Sequence, residues 1–405
     1  MRRIVITGMG GICALGHNAS DIWQAMAEGR SGIGPVHHID AKYLRASAAI
    51  AAEVSDFDPL KYIDAARLPF LDPLSQHALV AAGEAIRQSG LPLDHERAPR
   101  TAVVVGVGAA GEETREGLYQ KLYGEQASRF HPLGIVRIMS NAPASQISMT
   151  HGITGPTFTV SSACASSNHA FAQAALMIRA GLVDAAVAGG AEACITLGIL
   201  RAWEAMRVLA PDTCRPFSAN RRGLVLGEGS AMFVLETLES AQARGATILA
   251  ELAGVGMSAD AGDIAAPSDV GAAAAMRIAL QDAGMQPADI DYINAHGTGT
   301  VANDCTETRA IHNVFGKHAR RLAVTSTKPM HGHALGAAGA LELIAVVGAL
   351  RNGIVPPTLN YLGPDPACDL DYVPHEARAM TVRAALSNSF AFGGLNAVVA
   401  LRRAP

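Results

Sequence analysis

The stretch VSSACASSNHAF (160–171) places one cysteine, Cys164, among small and hydroxyl residues ahead of an apolar run. Residues 165–180 have the pattern of a helix that is apolar nearly all round, with Gly181 as its stop. Ser161 and Ser162 are the expected start, so Cys164 falls at or just before the first turn. There the unpaired backbone N–H groups and the helix dipole favour a thiolate, lowering a pKa that is ordinarily ~8.5. The N–H of Cys164 is also free to face a bound oxyanion. A lone thiol has a second reading, as a small buried core residue. Three further stretches bear on the choice. NAHGTGT (294–300) puts His296 in a turn with two glycines. STKPMHGHALGAAGALE (326–342) puts Lys328, His331 and His333 ahead of a small-residue helix. SNSFAFGGLN (387–396) brings Phe390 and Phe392 to a glycine turn. Each lies at a strand end or glycine turn, where α/β folds gather functional groups. A helix-starting cysteine, two histidine turns and a lysine point to a nucleophilic site.

The elements that must position these groups alternate along the chain. RRIVITG (2–8), TAVVVG (101–106), DAAVAGG (184–190) and AMFVLE (231–236) are strand-like. So are TILAELAGVGMS (247–258), DYINAHG (291–297), RLAVTSTK (321–328) and LNAVVALRR (395–403). Between them, residues 21–29, 74–90, 271–284 and 336–353 are helix-like, each closed by a glycine. Both halves end alike, in GEGSAMFVLET (227–237) and GGLNAVVALRR (393–403). The expectation is an α/β fold of two related βα halves, 1–243 and 244–405, with buried sheets.

Composition bounds the function. At 405 residues the chain is longer than one core usually serves. Hydrophobic residues are 49%, charged residues 17% and the net charge is −4, so no global field favours nucleic acid. No two of the six cysteines have C-x-x-C spacing, which fits free thiols in a reducing cytoplasm. No signal peptide or membrane span is expected. From Ile138 to Ile178 there is no Asp, Glu, Lys or Arg, as in a segment buried beside a pocket. GVGAAG (106–111) fits G-x-G-x-x-G, but no second apolar strand ending in an acid follows ~20 residues later. Its glycines, like those of GMGGICALG (8–16) and GLVLGEGSAM (223–232), are read as close-packing positions.

Taken together, SACASS, RPFSANRRGLVLGEG, NAHGTGT, STKPMHGHALGAAGALE and SNSFAFGGLN span the chain. On them it resembles a β-ketoacyl-acyl-carrier-protein synthase of the elongating, decarboxylating type. The stretches 203–229 and 294–304 look most like the nodulation-protein-E-like branch. The resemblance implies a thiolase-like fold with a layered α-β-α-β-α core. It implies decarboxylative condensation of an acyl thioester with malonyl-acyl-carrier-protein, in fatty-acid or specialised polyene or polyketide elongation. Cys164 would carry the acyl chain. His296 and His333 would assist decarboxylation and hold the developing enolate, with Lys328 behind them. The N–H groups of Cys164 and Phe392 would form the oxyanion hole, and Phe392 would gate the thiol. Asp304, Glu307, Phe390 and Glu342 would be supporting residues. Asn294, Glu342, Ser387 and Asn388 would be a candidate monovalent-cation site. No other cofactor is implied, because substrates travel on the carrier's phosphopantetheine.

The partners implied are acyl carrier protein and a second subunit, in a homodimer or in a heterodimer with a ketosynthase-like chain. A thiolase would expect a second catalytic cysteine near the C-terminus, whereas Cys368 lies in the loop-like PDPACDLDY. Two features depart from the pattern. DAARLPFLDPL (64–74) carries only Arg67 where a basic cluster is usual, which leaves Arg129 and Arg207 as further carrier contacts. Ala109 stands where a bulky residue often walls the acyl pocket, so a longer or stiffer chain is expected. The rival function is a pocket-shaping subunit of a heterodimer with little turnover alone.

Overall fold

The chain's β-branched runs build one continuous ten-stranded sheet in the computed structural model, which describes residues 2–45 and 48–404. Its strands are β1 (Ile4–Cys13), β2 (Thr101–Gly106), β3 (Thr157–Val160), β4 (Ala185–Glu192), β5 (Gly229–Thr237), β6 (Ala250–Ala259), β7 (Tyr292–Asn294), β8 (Ala323–Thr325), β9 (Ala384–Ala391) and β10 (Leu395–Arg402). Their spatial order is β8-β7-β9-β10-β6-β1-β5-β4-β2-β3. Read outward from the middle, each half gives the same sequence of strands. In both, the inner pairings are antiparallel and the two outer ones parallel. Within the sheet, the halves join where Ile4–Ile6 pair with Ala250–Leu252.

Five helices explain the layering: α1 (Pro73–Ser89), α2 (Ser166–Arg179), α3 (Asp269–Ala283), α4 (Val301–Phe315) and α5 (Ala338–Asn352). α1 packs on β1, β5 and β4, and α3 on β6, β10 and β9. α2 and α5 touch strands of both halves and each other, which makes them the middle layer. α5 is buried from Ala338 to Leu350 and so has no polar stripe to keep, whereas α2 is buried on most of its surface but leaves Leu176 exposed. The stretch Leu335–Asn352 is long and apolar enough to cross a membrane, but 89% of it is buried inside the protein.

Glycine terminates α1, α3 and α5 as the sequence suggests. Gly90, Gly284 and Gly353 all adopt left-handed conformations at the C-caps. Gly106, the first glycine of GVGAAG, is a packing residue. A Cβ built there would lie 2.4 Å from the backbone carbon of Ser166, so only glycine lets β2 meet the start of α2.

Candidate active site

β3 runs into a tight turn that delivers Cys164. Ala163 takes a positive φ of 48°, and α2 begins at Ser166 with Ala165 as its cap. Helix formation therefore starts later than Ser161 and Ser162 suggest. The Ser166 hydroxyl is the reason: it accepts from the Ser162 N–H at 2.9 Å and donates to the Ala163 carbonyl at 2.7 Å, bracing the turn from inside. Cys164 is 3% exposed. Burial pushes its thiol up to about 12, against the pull of Lys328. This corrects the expectation of a thiolate set by the helix dipole: in so dry a place desolvation outweighs the dipole. Alkylation of Cys164 by iodoacetamide should accordingly still accelerate from about pH 8.5 to about pH 10. A rate that levels off below about pH 8.5 would contradict a buried, protonated thiol.

The two histidine turns come from the other half and converge on this sulfur. The Nε2 of His333 lies 3.1 Å from the Cys164 Sγ. The Cys164 sulfur and a ring nitrogen from each of His296 and His333 all lie within 4.8 Å of one another. The two imidazoles meet edge to face, with centroids 5.4 Å apart. Burial first, and then Lys328, holds both well below the ordinary histidine value, so both are neutral. The Lys328 Nζ is 3.5 Å from His296 Nδ1 and donates to the His296 carbonyl and to Glu342. An ammonium only donates, so His296 Nδ1 accepts and its proton sits on Nε2.

Buried carboxylates shape the His296 turn from behind. Glu307 accepts from the N–H groups of His296 and Gly297, both at 2.9 Å, and from Asn388 at 3.0 Å. Asp304 accepts from Phe217 N–H at 2.7 Å and Gly299 N–H at 3.2 Å. Gly297 has a φ of 39°, and a Cβ there would lie 2.6 Å from that of Ser326. Phe390 packs edge-on to His296, 6.1 Å between centroids. Half-buried Phe392 leans on Trp203 at 5.8 Å and lines a cleft with Cys164, His296, His333, Thr298 and Thr300.

The remaining sequence candidates fall in three places. Ala109 borders the apolar cluster that contains Cys164, Cys194, Ile195, Leu200 and Leu335. Arg207 is exposed beside Val208, which lines the cleft. Arg67 donates to Gln146 at 2.9 Å, and exposed Arg129 shares a hollow with Lys121 and Arg137. Phe70 packs against His131 with its ring tilted, bringing the segment after Arg67 next to that hollow. In the would-be cation group, the Asn294 Oδ1, Glu342 Oε2 and Ser387 Oγ atoms are buried without a hydrogen-bond partner. Ser387 pairs in register with Asn294, so both side chains share a sheet face. Asn388 points to the opposite face, toward Glu307 and Met276, and its side chain lies apart from this group.

Glu192 is a residue of this neighbourhood with no counterpart among the sequence candidates. Glu192, at the end of β4, accepts from Gly108 at 2.9 Å, Ala109 at 3.1 Å and Gly336 at 2.9 Å. It thereby ties the Ala109 turn to the segment just after His333, across the two halves. The only sequence signal was an acid closing the apolar run AAVAGGAEACI.

This architecture and constellation have known counterparts. The model of the β-ketoacyl synthase N-terminal domain matches residues 1–241, and that of the C-terminal domain matches residues 249–362. The chain belongs to the β-ketoacyl synthase family. It is 52% identical to nodulation protein E of Rhizobium sp. (strain N33), over 99% of each chain. It is 42% identical to 3-oxoacyl-[acyl-carrier-protein] synthase 2 of Coxiella burnetii (strain RSA 493 / Nine Mile phase I), again over 99% of each. The solved ishigamide ketosynthase/chain length factor superimposes with a TM-score of 0.94 at 37% identity, covering 100% of both chains. The chain is thus a condensing enzyme of the acyltransferase class with the thiolase-like fold.

Proposed function

We propose that the protein takes an acyl chain onto Cys164 and condenses it with malonyl-acyl-carrier-protein, releasing carbon dioxide and a 3-ketoacyl-acyl-carrier-protein. The observation that carries this reading is the meeting of one thiol with two neutral imidazoles at a cleft. His333, 3.1 Å from the sulfur, is placed to receive the thiol proton as the sulfur attacks the incoming thioester. The carrier's thiol then leaves. Malonyl-carrier follows, its carbonyl oxygen facing His296 Nε2–H and His333. Those donors stabilise the enolate formed as the carboxylate departs. The enolate carbon attacks the acyl thioester, and the oxyanion points to the N–H groups of Cys164 and Phe392. Collapse expels the sulfur as a good leaving group. Burial serves this chemistry by excluding the water that would hydrolyse the acyl enzyme. Halves 1–243 and 244–405 divide the labour, the first supplying the nucleophile and the second the two histidines.

The carrier's phosphopantetheine arm enters past Thr298 and Thr300, with Arg207 near the mouth and Arg67 and Arg129 as more distant contacts. The working assembly is a dimer in the cytoplasm, with a copy of itself or a chain-length-factor-like subunit. The complete catalytic set argues for turnover rather than a pocket-shaping role alone. Purified protein given acyl-carrier and malonyl-carrier should therefore release carbon dioxide and a 3-ketoacyl product. Turnover only after a second chain is added would favour the partner-dependent reading.

Ala109 sets chain length through the small volume it leaves beside the Cys164 cluster. Ala109→Phe is expected to shift products to shorter chains, read by mass spectrometry of released acyl groups. An unchanged distribution would remove Ala109 from the pocket wall. Asn294, Glu342 and Ser387 suit a potassium or sodium ion, because three partnerless buried oxygens are the donors a hard monovalent ion takes. The ion would screen Glu342 and stiffen the floor under Lys328. Melting temperature should be higher in potassium or sodium chloride than in N-methylglucamine chloride of equal strength. Ser387→Ala should erase that difference, and equal melting in all three salts would count against the ion.

A further inference from the structure

A second cysteine cluster lies outside the catalytic cleft. Cys305 stands half-exposed on α4, and Cys368, 1% exposed, lies in the PDPACDLDY loop that packs against it. Their sulfurs and a carboxylate oxygen of Asp365 all lie within 4.8 Å of one another. Two thiols and an acid at such range have two chemical readings, a metal site and a redox pair. Arg221 separates them. Its side chain is 1% exposed, its Nη2 donates to the Cys305 sulfur at 3.0 Å, and its Nη1 donates to Asp365 at 2.6 Å. The positive charge that a metal ion would bring is already present, on two of the three would-be ligands. Cys368 lacks this contact, and burial pushes its thiol up to about 12. The two sulfurs therefore have different roles: an accessible attacking group and a sheltered resolving group.

We propose that Cys305 and Cys368 form a peroxide-sensitive dithiol that closes to a reversible disulfide. The Cys305 thiolate attacks one oxygen of a hydroperoxide. The O–O bond breaks, hydroxide or alkoxide leaves, and the sulfur becomes a sulfenic acid. The Cys368 sulfur then attacks the Cys305 sulfur, the S–O bond breaks, and water departs with the Cys368 proton. The two sulfurs lose two electrons, and those electrons reduce the peroxide. A dithiol reductant reverses the reaction by exchange. The bond pins the 364–372 loop to α4 and removes the acceptor that Arg221 holds on Cys305.

The test treats the reduced protein with hydrogen peroxide, blocks free thiols with N-ethylmaleimide at acid pH, and maps the peptides without reduction. The expected result is a linked pair containing Cys305 and Cys368, lighter by two hydrogens and lost on adding dithiothreitol. Cys368→Ser should instead accumulate a Cys305 sulfenic acid that dimedone captures. Cys305→Ser should leave Cys368 as a free thiol. The wild-type map stands alone if either variant folds poorly. Both thiols remaining free, Cys305 pairing elsewhere, or Cys305 passing to sulfinic acid while Cys368 stays free would each overturn the proposal. So would stoichiometric zinc in the purified protein that both serine variants lose.

Discussion

Cys164→Ala is expected to leave a folded protein that accepts no acyl group, with condensation reduced on the order of 10⁴-fold or more. The change removes a single sulfur atom from an apolar cluster of leucine, isoleucine, valine and alanine side chains, so little packing is lost. The chemistry has no substitute, because Ser161, Ser162 and Ser166 do not line the cleft with His296 and His333: the Ser162 hydroxyl pairs with His169 at 2.8 Å and that of Ser166 braces the turn. His296 and His333 remain, however, so the variant should still decarboxylate malonyl-carrier. His296→Ala should do the reverse, keeping a Cys164 acyl adduct while losing carbon dioxide release. Assaying both steps on both variants separates the roles. Acyl transfer surviving in Cys164→Ala, or decarboxylation surviving intact in His296→Ala, would contradict the assignment.

Lys328→Met should be the most destabilising single change at the site, by about 3–5 kcal/mol at pH 8. It leaves Glu342 fully buried without its cation and takes the ammonium from the His296 carbonyl. Even beside Lys328, burial pushes the Glu342 carboxyl up to about 7 from its ordinary 4.5. Without the lysine that carboxyl is driven higher still. A raised carboxyl keeps its proton in the folded state while the unfolded chain releases it above about pH 4.5. The wild type loses the same stability up to about pH 7, where its Glu342 ionises beside Lys328, so the variant's deficit should grow as pH rises above about 7. Lys328→Met/Glu342→Leu should recover most of the lost stability, because a buried pair is costly to break but not to replace. Activity should not return with it, since His296 Nδ1 still lacks its donor. Urea midpoints and turnover, measured on the single and double variants, check both halves of this expectation. A double variant as unstable as the single would contradict it.

Much of this was legible from residues alone, and the reasons are local. Gly90, Gly284 and Gly353 end helices because the left-handed cap they adopt suits glycine above other residues. The strand-like runs of Val and Ile became strands because two buried faces select for them. β3 and β9 were harder to see. β3 is a short edge strand, and β9 carries Ser-Asn-Ser in its middle, a polar pattern that resembles a loop. Those polar residues face Asn294, Glu307 and Met276 from elements nearly a hundred residues away, and no local pattern encodes such contacts. The same limit hid Glu192, whose three N–H partners come from two distant turns. It also hid Arg221, which joins Asp304, Cys305 and Asp365. At Cys164 the balance of dipole against burial depends on how tightly the third dimension closes over it.

A covalent acyl intermediate at Cys164 that malonyl-carrier consumes is the central step of the proposed reaction. Intact-protein mass after incubation with a panel of acyl-carriers, followed by malonyl-carrier, tests it most directly. An acyl adduct that is absent from Cys164→Ala and disappears as a 3-ketoacyl product forms is the predicted result. A folded protein that shows no adduct with any carrier, or an adduct that malonyl-carrier leaves untouched, would contradict it.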